Sequence, residues 1–300
     1  MLKKEWPLIA FTLLTQLAVG FFLVAGFVYV VVAGRDAERT GDEIINPILP
    51  VIIAILALGA ISASLHLGKP MRAVRAAVNI RTSWLSREMV TGMFFGLLCC
   101  LFGLIQFFDM GPKGLRIIVV AITALSGLAL VFAIARLYML RTVPVWNRPA
   151  TPVSFFLTTF LLGTAATCVG LVVIAGAGSF DGKNALVTAC VAWSGPLVLL
   201  AAIIQLVVTV MHTAYSGERG SRGDENSRFV LSRYRPIFVL RLIFAVAGAG
   251  MFMIFTNLYS TNAIHDRFTV PMVLGAFALL FVSEIMGRFL FYASYRRVGL

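Results

Sequence analysis

A chain of 300 residues that is 60% hydrophobic and 13% charged, with a mean hydropathy of +0.94, lies outside the range of soluble domains and reads as a polytopic membrane protein. Its formal net charge of +12 comes from basic residues scattered among the connections between apolar runs, not from a soluble basic module, which argues against nucleic-acid binding. The longest polar stretch, Thr213 to Arg235, is too polar to bury a core and reads as a flexible connection.

Runs of about 20 apolar residues, the length that crosses roughly 30 Å of hydrocarbon, occur at 7–33, 47–67, 87–108, 115–138, 153–177, 185–209, 236–257 and 270–292. Each run is continuous rather than alternating, and an open sheet would leave backbone groups unpaired in lipid. The expected fold is therefore all-α, a bundle of eight transmembrane helices forming one integral-membrane domain over residues 1–300. The first run follows Lys3 and Lys4 in the manner of a signal peptide. Its length, its Thr12, Thr15 and Gln16, and the seven runs behind it favour an uncleaved helix.

The second run ends at His66 and the third opens with Arg87 and Glu88; the connection between them holds Lys69, Arg72, Arg75 and Arg81. In the third, Gly92 and Gly96 fit close helix packing rather than a nucleotide loop. Cys99, Cys100, Cys168 and Cys190 all fall within apolar runs, without the CxxC or Cys/His spacing that holds zinc or iron–sulfur centres. His212 ends the sixth run as His66 ends the second, and the two long connections follow these same two runs. Two related four-helix halves would produce that spacing. In the last run Glu284 and Arg288 are spaced i, i+4 and can pair, with Arg136 and Arg241 at nearby helix ends.

Of the Lys and Arg residues, 19 fall at the N-terminus, the C-terminus and the second, fourth and sixth connections, against 6 on the opposite side. The positive-inside rule then places both termini in the cytoplasm.

Ionisable residues at a membrane edge are costly and are usually kept for proton, ion or redox-ligand chemistry. Glu88 begins its span as His66 finishes the neighbouring one, so imidazole and carboxylate can face one cavity, with Arg72 as a fixed cation. A quinol fits that chemistry: its oxidation needs two proton acceptors, an apolar pocket and an entrance from lipid. The competing structural reading is a helix-end salt network among Arg72, Arg87 and Glu88. A haem held by His66 and His212 is sterically conceivable; the other reading of His212 is an interfacial polar residue.

Glu5-Trp6-Pro7-Leu8, His66-Leu67-Gly68-Lys69-Pro70-Met71-Arg72-Ala73, the Asn79 to Glu88 segment, Thr142-Val143-Pro144-Val145-Trp146 and Glu284-Ile285-Met286-Gly287-Arg288-Phe289-Leu290-Phe291-Tyr292 together resemble the DMSO reductase membrane-anchor subunit family (DmsC-type). The resemblance runs from near residue 5 to near residue 292. It implies an eight-helix subunit of the bacterial cytoplasmic membrane that binds menaquinol without haem or metal of its own. It also implies that the subunit anchors a molybdopterin catalytic subunit through an iron–sulfur subunit, in anaerobic respiration. By the same resemblance His66 and Glu88 are the quinol-binding and proton-accepting residues, with Gly68 and Arg72 in the pocket. One feature departs from the family pattern. The basic 68–87 segment is placed in the cytoplasm by charge, whereas the family is similar to complexes whose catalytic dimer faces the periplasm on this side.

Two other readings of the residues stand beside this one. A secondary transporter or channel-like permease could use the same charges, although the ionisable residues gather at one face rather than at the midplane. A purely structural anchor would need no quinol site. Reporters fused to the 68–86 connection and to the C-terminus are expected on the same side of the membrane, because six spans separate them. Opposite sides would mean that a span has been miscounted.

Overall fold

The computed structural model describes residues 2–34, 38–66, 79–177, 185–215 and 222–295. They form eight helices: α1 (Leu2–Gly34), α2 (Glu38–His66), α3 (Trp84–Phe107), α4 (Lys113–Tyr138), α5 (Ala150–Gly176), α6 (Ala185–Tyr215), α7 (Arg222–Ser260) and α8 (Asp266–Ala293). All eight are long and apolar enough to cross a membrane, and the described residues contain no strand. The protein is an all-α, multi-pass membrane protein. Hydroxyls inside these helices bond back to the preceding turn: Thr123 to Val119 O (2.7 Å), Thr159 to Phe155 O (2.9 Å) and Thr167 to Gly163 O (2.9 Å). That return bond lets a polar side chain lie in an apolar bundle without an orphaned donor.

The helices overrun the apolar runs because polar turns continue them into the interface. The connection around 213–235, expected to be flexible, is helical over 222–235, since α6 continues to Tyr215 and α7 starts at Arg222. Tyr234 leaves helical geometry (φ −119°, ψ 20°) two residues before Pro236. The Pro236 ring removes a donor and crowds the carbonyl one turn back, so α7 kinks where its apolar run begins.

The packing order repeats. In the first half α1 packs on α2 and α4, and α3 on α2 and α4; in the second, α5 packs on α6 and α8, and α7 on α6 and α8. The halves meet through α1 and α5, flanked by α4 on α5 and α8 on α1. The same order of contacts thus recurs in the two halves, and it places the first helix of each at the centre.

Gly20 and Gly163 make the α1–α5 crossing possible. A Cβ at Gly20 would run into the Thr159 carbonyl, and one at Gly163 into the Gly20 backbone. Small residues let two membrane helices approach to backbone contact where no hydrophobic force drives them together. Around this contact Leu17, Phe21, Phe22, Leu162 and Ala166 are buried.

On one end of the bundle, the Arg116 guanidinium on α4 donates to Asp109 and lies 3.5 Å from Asp42 of α2, which also accepts from Gln106 of α3 at 2.9 Å. Arg116 is buried, and its charge ties three helices together. The α3–α4 turn beside it needs positive φ at Asp109 (49°) and at Gly111 (75°), the latter a conformation that suits glycine.

Replacing Gly20 or Gly163 by Ala should force α1 and α5 apart and cost about 1–3 kcal/mol, the usual range for overpacking. Gly250→Ala, where an added methyl meets nothing within 4 Å, should be neutral. Thermal unfolding of the detergent-solubilised protein checks both; equal melting temperatures for all three variants would contradict the crossing's role.

Candidate functional site

Glu88 sits five residues into α3, and the local sequence pins the start of that helix. Residues 79–83 turn through Thr82 and Ser83 N–H bonds to the Asn79 carbonyl (3.3 and 3.1 Å). Ser83 is the N-cap, and its hydroxyl accepts from the Ser86 N–H at 3.3 Å. Arg87 folds back over Trp84 (4.2 Å to the ring) and donates to the Ile80 and Arg81 carbonyls, both at 2.9 Å. It thereby closes the turn instead of pairing with Glu88, which removes Arg87 from the expected helix-end salt network. Trp84 is further held edge-on by Phe132 of α4 and covered by Arg136 at 5.2 Å.

Glu88 itself is 6% exposed, and its Oε2 has no hydrogen-bond partner among the described residues. A buried carboxylate oxygen without a donor is expensive in a protein interior and needs a physical reason. Of the other expected site residues, His66 is the last residue of α2, but its imidazole lies outside the described residues, as do Gly68 and Arg72. Whether imidazole and carboxylate share a cavity is therefore outside what the structure describes. The His212 side chain lies outside it too, while His265 is the N-cap of α8 at the opposite end of the bundle. Among the described residues no three His, Cys, Asp or Glu side chains converge on a common point.

Beneath Glu88, on the same side of the bundle, lies a seam of buried polar side chains. Glu284 and Arg288, spaced to pair with each other, instead reach across to other helices. Glu284 accepts from Thr158 of α5 at 2.6 Å and from Gln205 of α6 at 3.4 Å. Arg288 donates to Gln16 of α1 at 2.7 Å and stacks on the Phe155 ring at 3.5 Å, and Gln16 passes the connection on to the Phe155 carbonyl at 2.7 Å. Arg241 of α7 packs under Gly287, where a Cβ would collide with the guanidinium. Gln205, Arg241, Ser283 and Glu284 border a cavity of about 10 Å³, close to the space of one water. Arg136, expected near this group, is instead engaged by Trp84 and by Met139 Sδ at 3.6 Å.

Above the seam, the α4–α5 loop inserts Trp146. Its indole N–H donates to the Phe291 carbonyl (3.0 Å) and to Ser294 Oγ (3.1 Å), and its ring stacks on Phe291 at 4.9 Å. Two segments far apart in the sequence, 142–146 and 284–292, are thus halves of one aromatic lock. At its centre Tyr292 donates to Tyr138 at 2.8 Å, joining the ends of α8 and α4. Sequence reasoning singled out none of Tyr138, Thr158 or Gln205, and Gln16 entered it only as a polar residue of the first run. Gln16 and Gln205 are amides inside apolar runs, and only that misplaced polarity marked them, whereas Tyr138 and Thr158 carried no such signal.

The comparisons with known proteins agree with this architecture. The chain matches the DMSO reductase anchor subunit (DmsC) family over residues 2–294. It belongs to that family. It is 27% identical to the C subunit of the anaerobic dimethyl sulfoxide reductase of Escherichia coli K12, over 99% of its own length and 96% of that protein's. Against the YnfH subunit, an anaerobic dimethyl sulfoxide reductase component of the same organism, the identity is 26%, with the same coverage. A third relative, the corresponding C subunit from Haemophilus influenzae, is 33% identical over 53% of the present sequence, a stretch spanning about half (56%) of that protein. The protein is accordingly a membrane-anchor subunit of a DmsC-type oxidoreductase complex, a multi-pass protein of the bacterial cytoplasmic membrane.

Glu284→Leu should leave the buried Thr158 and Gln205 donors without their shared acceptor and loosen the seam, a loss of about 1–3 kcal/mol for each orphaned group. Glu284→Gln, which still accepts from Thr158, should lose much less. Chemical denaturation in detergent compares the two; a Leu variant as stable as the Gln variant would show that the acceptor at this position is not needed.

Proposed function

We propose that this subunit binds menaquinol at the α2–α3 end of the bundle and oxidises it for an iron–sulfur subunit, which passes the electrons to a molybdopterin catalytic subunit. The observation that carries the reading is the buried Glu88 carboxylate with an unpartnered Oε2, at the start of a span, in a member of the DMSO reductase anchor family. The names of the relatives support the wider setting, since they belong to anaerobic dimethyl sulfoxide reductases.

In this reading the quinol is the substrate and supplies two electrons and two hydroxyl protons. Glu88 accepts one hydroxyl hydrogen bond at Oε2 and then the proton, forming the neutral acid. His66, at the end of α2, takes the second. Gly68 gives the ring room and Arg72 supplies a fixed cation to the pocket. The electrons leave one at a time towards an iron–sulfur acceptor in the partner subunit, so the anchor contributes binding and proton acceptance rather than the terminal chemistry. Low dielectric around Glu88 makes its charge state matter: a carboxylate there is a strong acceptor, and a cation in its place is weakly screened.

Glu88→Gln should slow quinol-dependent reduction of the terminal acceptor at least about tenfold, the scale on which a positioned proton acceptor contributes, and Glu88→Lys more, because Lys removes the acceptor and adds a cation near Arg87. His66→Arg should also impair the reaction, since a guanidinium donates but takes no proton. The comparison is with reduction driven by a viologen dye that feeds the catalytic subunits directly, which should be retained. If quinol-driven and dye-driven rates fall together, these residues serve assembly and the site assignment fails.

A further inference from the structure

The tyrosine pair above the polar seam is more than a lock between helix ends. Tyr138 ends α4, and the register of α3 against α4 can be read from two contacts: Leu130 lies against Gly92, and Phe95 against Gly127. Each step into α3 therefore matches a step back along α4, which sets Glu88 level with Ile134, one turn below Tyr138. A side chain on a helix leans towards its N-terminus. Tyr138 leans down from the end of α4, and Glu88 leans up towards the start of α3, so the two converge.

Their surroundings agree. Tyr138 and Glu88 are both more than nine-tenths buried, and Glu88 lies close enough to interact electrostatically with both Tyr138 and Tyr292. Tyr292 donates to the Tyr138 oxygen at 2.8 Å. With Tyr292 as the donor, the Tyr138 hydroxyl accepts in that bond and can donate its own hydrogen to a further acceptor. A buried acceptor without a donor, one helical turn from a phenol that can donate, leaves room for a single oxygen that serves both. A hydroxyl-bearing ligand offers that combination, as its O–H donates to Glu88 Oε2 while its lone pair accepts from Tyr138.

We propose that Tyr138 is a further ligand-binding residue of the Glu88 site, donating to the same quinol oxygen whose hydrogen is bound by Glu88, with Tyr292 as a positioning residue that fixes the Tyr138 hydroxyl. The proposal rests on the assignment of Glu88 to quinol binding. Tyr138 is well suited to the task because its ring is clamped by Trp146, Phe155, Phe291 and Tyr292, with centroids 5.5–5.8 Å away. Such a clamp leaves the phenol little freedom to turn away, so its orientation is set before the ligand arrives. A donor at that oxygen also favours the reaction, since the oxygen becomes a carbonyl as the quinol is oxidised and accepts more strongly.

The test uses the whole complex, with menadiol, a naphthoquinol without a long tail, as the electron donor. Tyr138→Phe keeps the ring in its clamp and removes only the hydroxyl. It should raise the KM for menadiol about tenfold, the equivalent of one hydrogen bond, with viologen-driven activity unchanged and a modestly lower melting temperature, because the Tyr292 hydroxyl loses its acceptor. Tyr292→Phe should act in the same direction and less. Infrared difference spectra give an independent readout: the carboxyl band that disappears in Glu88→Gln should shift in Tyr138→Phe when menadiol is bound. A Tyr138→Phe enzyme with the normal KM and an unshifted band overturns the inference, as does a parallel fall in menadiol-driven and dye-driven rates. If Glu88→Gln abolishes menadiol oxidation while Tyr138→Phe behaves as the native enzyme, only the Tyr138 assignment fails; normal oxidation by Glu88→Gln overturns both assignments.

Discussion

A polar side chain inside a helical membrane bundle has little water to fall back on, and most of the polar groups in the seam on one side of this bundle find partners in the protein, with Gln205 Oε1 and Arg241 Nε left unbonded among the described residues. Gln16, Phe155, Thr158, Gln205, Glu284 and Arg288 come from α1, α5, α6 and α8 and connect through bonds of 2.6–3.4 Å. Removing a partner from such a set leaves a desolvated group with no replacement, which costs far more than the bond itself is worth. The seam therefore dictates how the two halves dock, more than the lipid-like packing of Leu, Val and Phe around it does. Apolar side chains are nearly as content with lipid tails as with each other.

Against that background the unpartnered oxygen of Glu88 acquires its meaning. Where the same bundle satisfies Glu284 with two donors, it leaves Glu88 Oε2 with none among the described residues. Arg87, the cation nearest in sequence, is turned away to close the 79–83 turn. Two buried carboxylates in one bundle thus have opposite treatment, one held by two donors and the other with an oxygen that no described residue engages.

The two-unit packing order gives this asymmetry a context. The first helices of the units, α1 and α5, cross at Gly20 and Gly163, and the ends of their fourth helices meet at Tyr138 and Tyr292. In the second unit the space beside α8 is filled by Arg241, which packs under Gly287 and reduces the adjoining cavity to about 10 Å³. In the first unit Gly92 and Gly127 let Leu130 and Phe95 pack closely between α3 and α4 beneath Glu88, and the carboxylate at that unit's edge keeps an oxygen without a partner among the described residues.

Much of this was legible in the amino-acid order. Eight helices follow from apolar run lengths because hydrocarbon thickness is a fixed ruler and only helices satisfy a lone spanning backbone. Glu88 stood out because a charge at the edge of an apolar run is costly wherever it is placed. The motif segments pointed to the family that the comparisons then established. What the order of residues could not provide was pairing. Glu284 and Arg288 are spaced to bond each other along one helix, yet each finds a better-placed partner on another. Tyr138 looked like any aromatic at a membrane edge until α8 brought Tyr292 against it. Helix formation is decided by local chemistry and the solvent, whereas the partner of a buried polar atom is decided by which helix lies opposite, and that is a property of the tertiary structure alone.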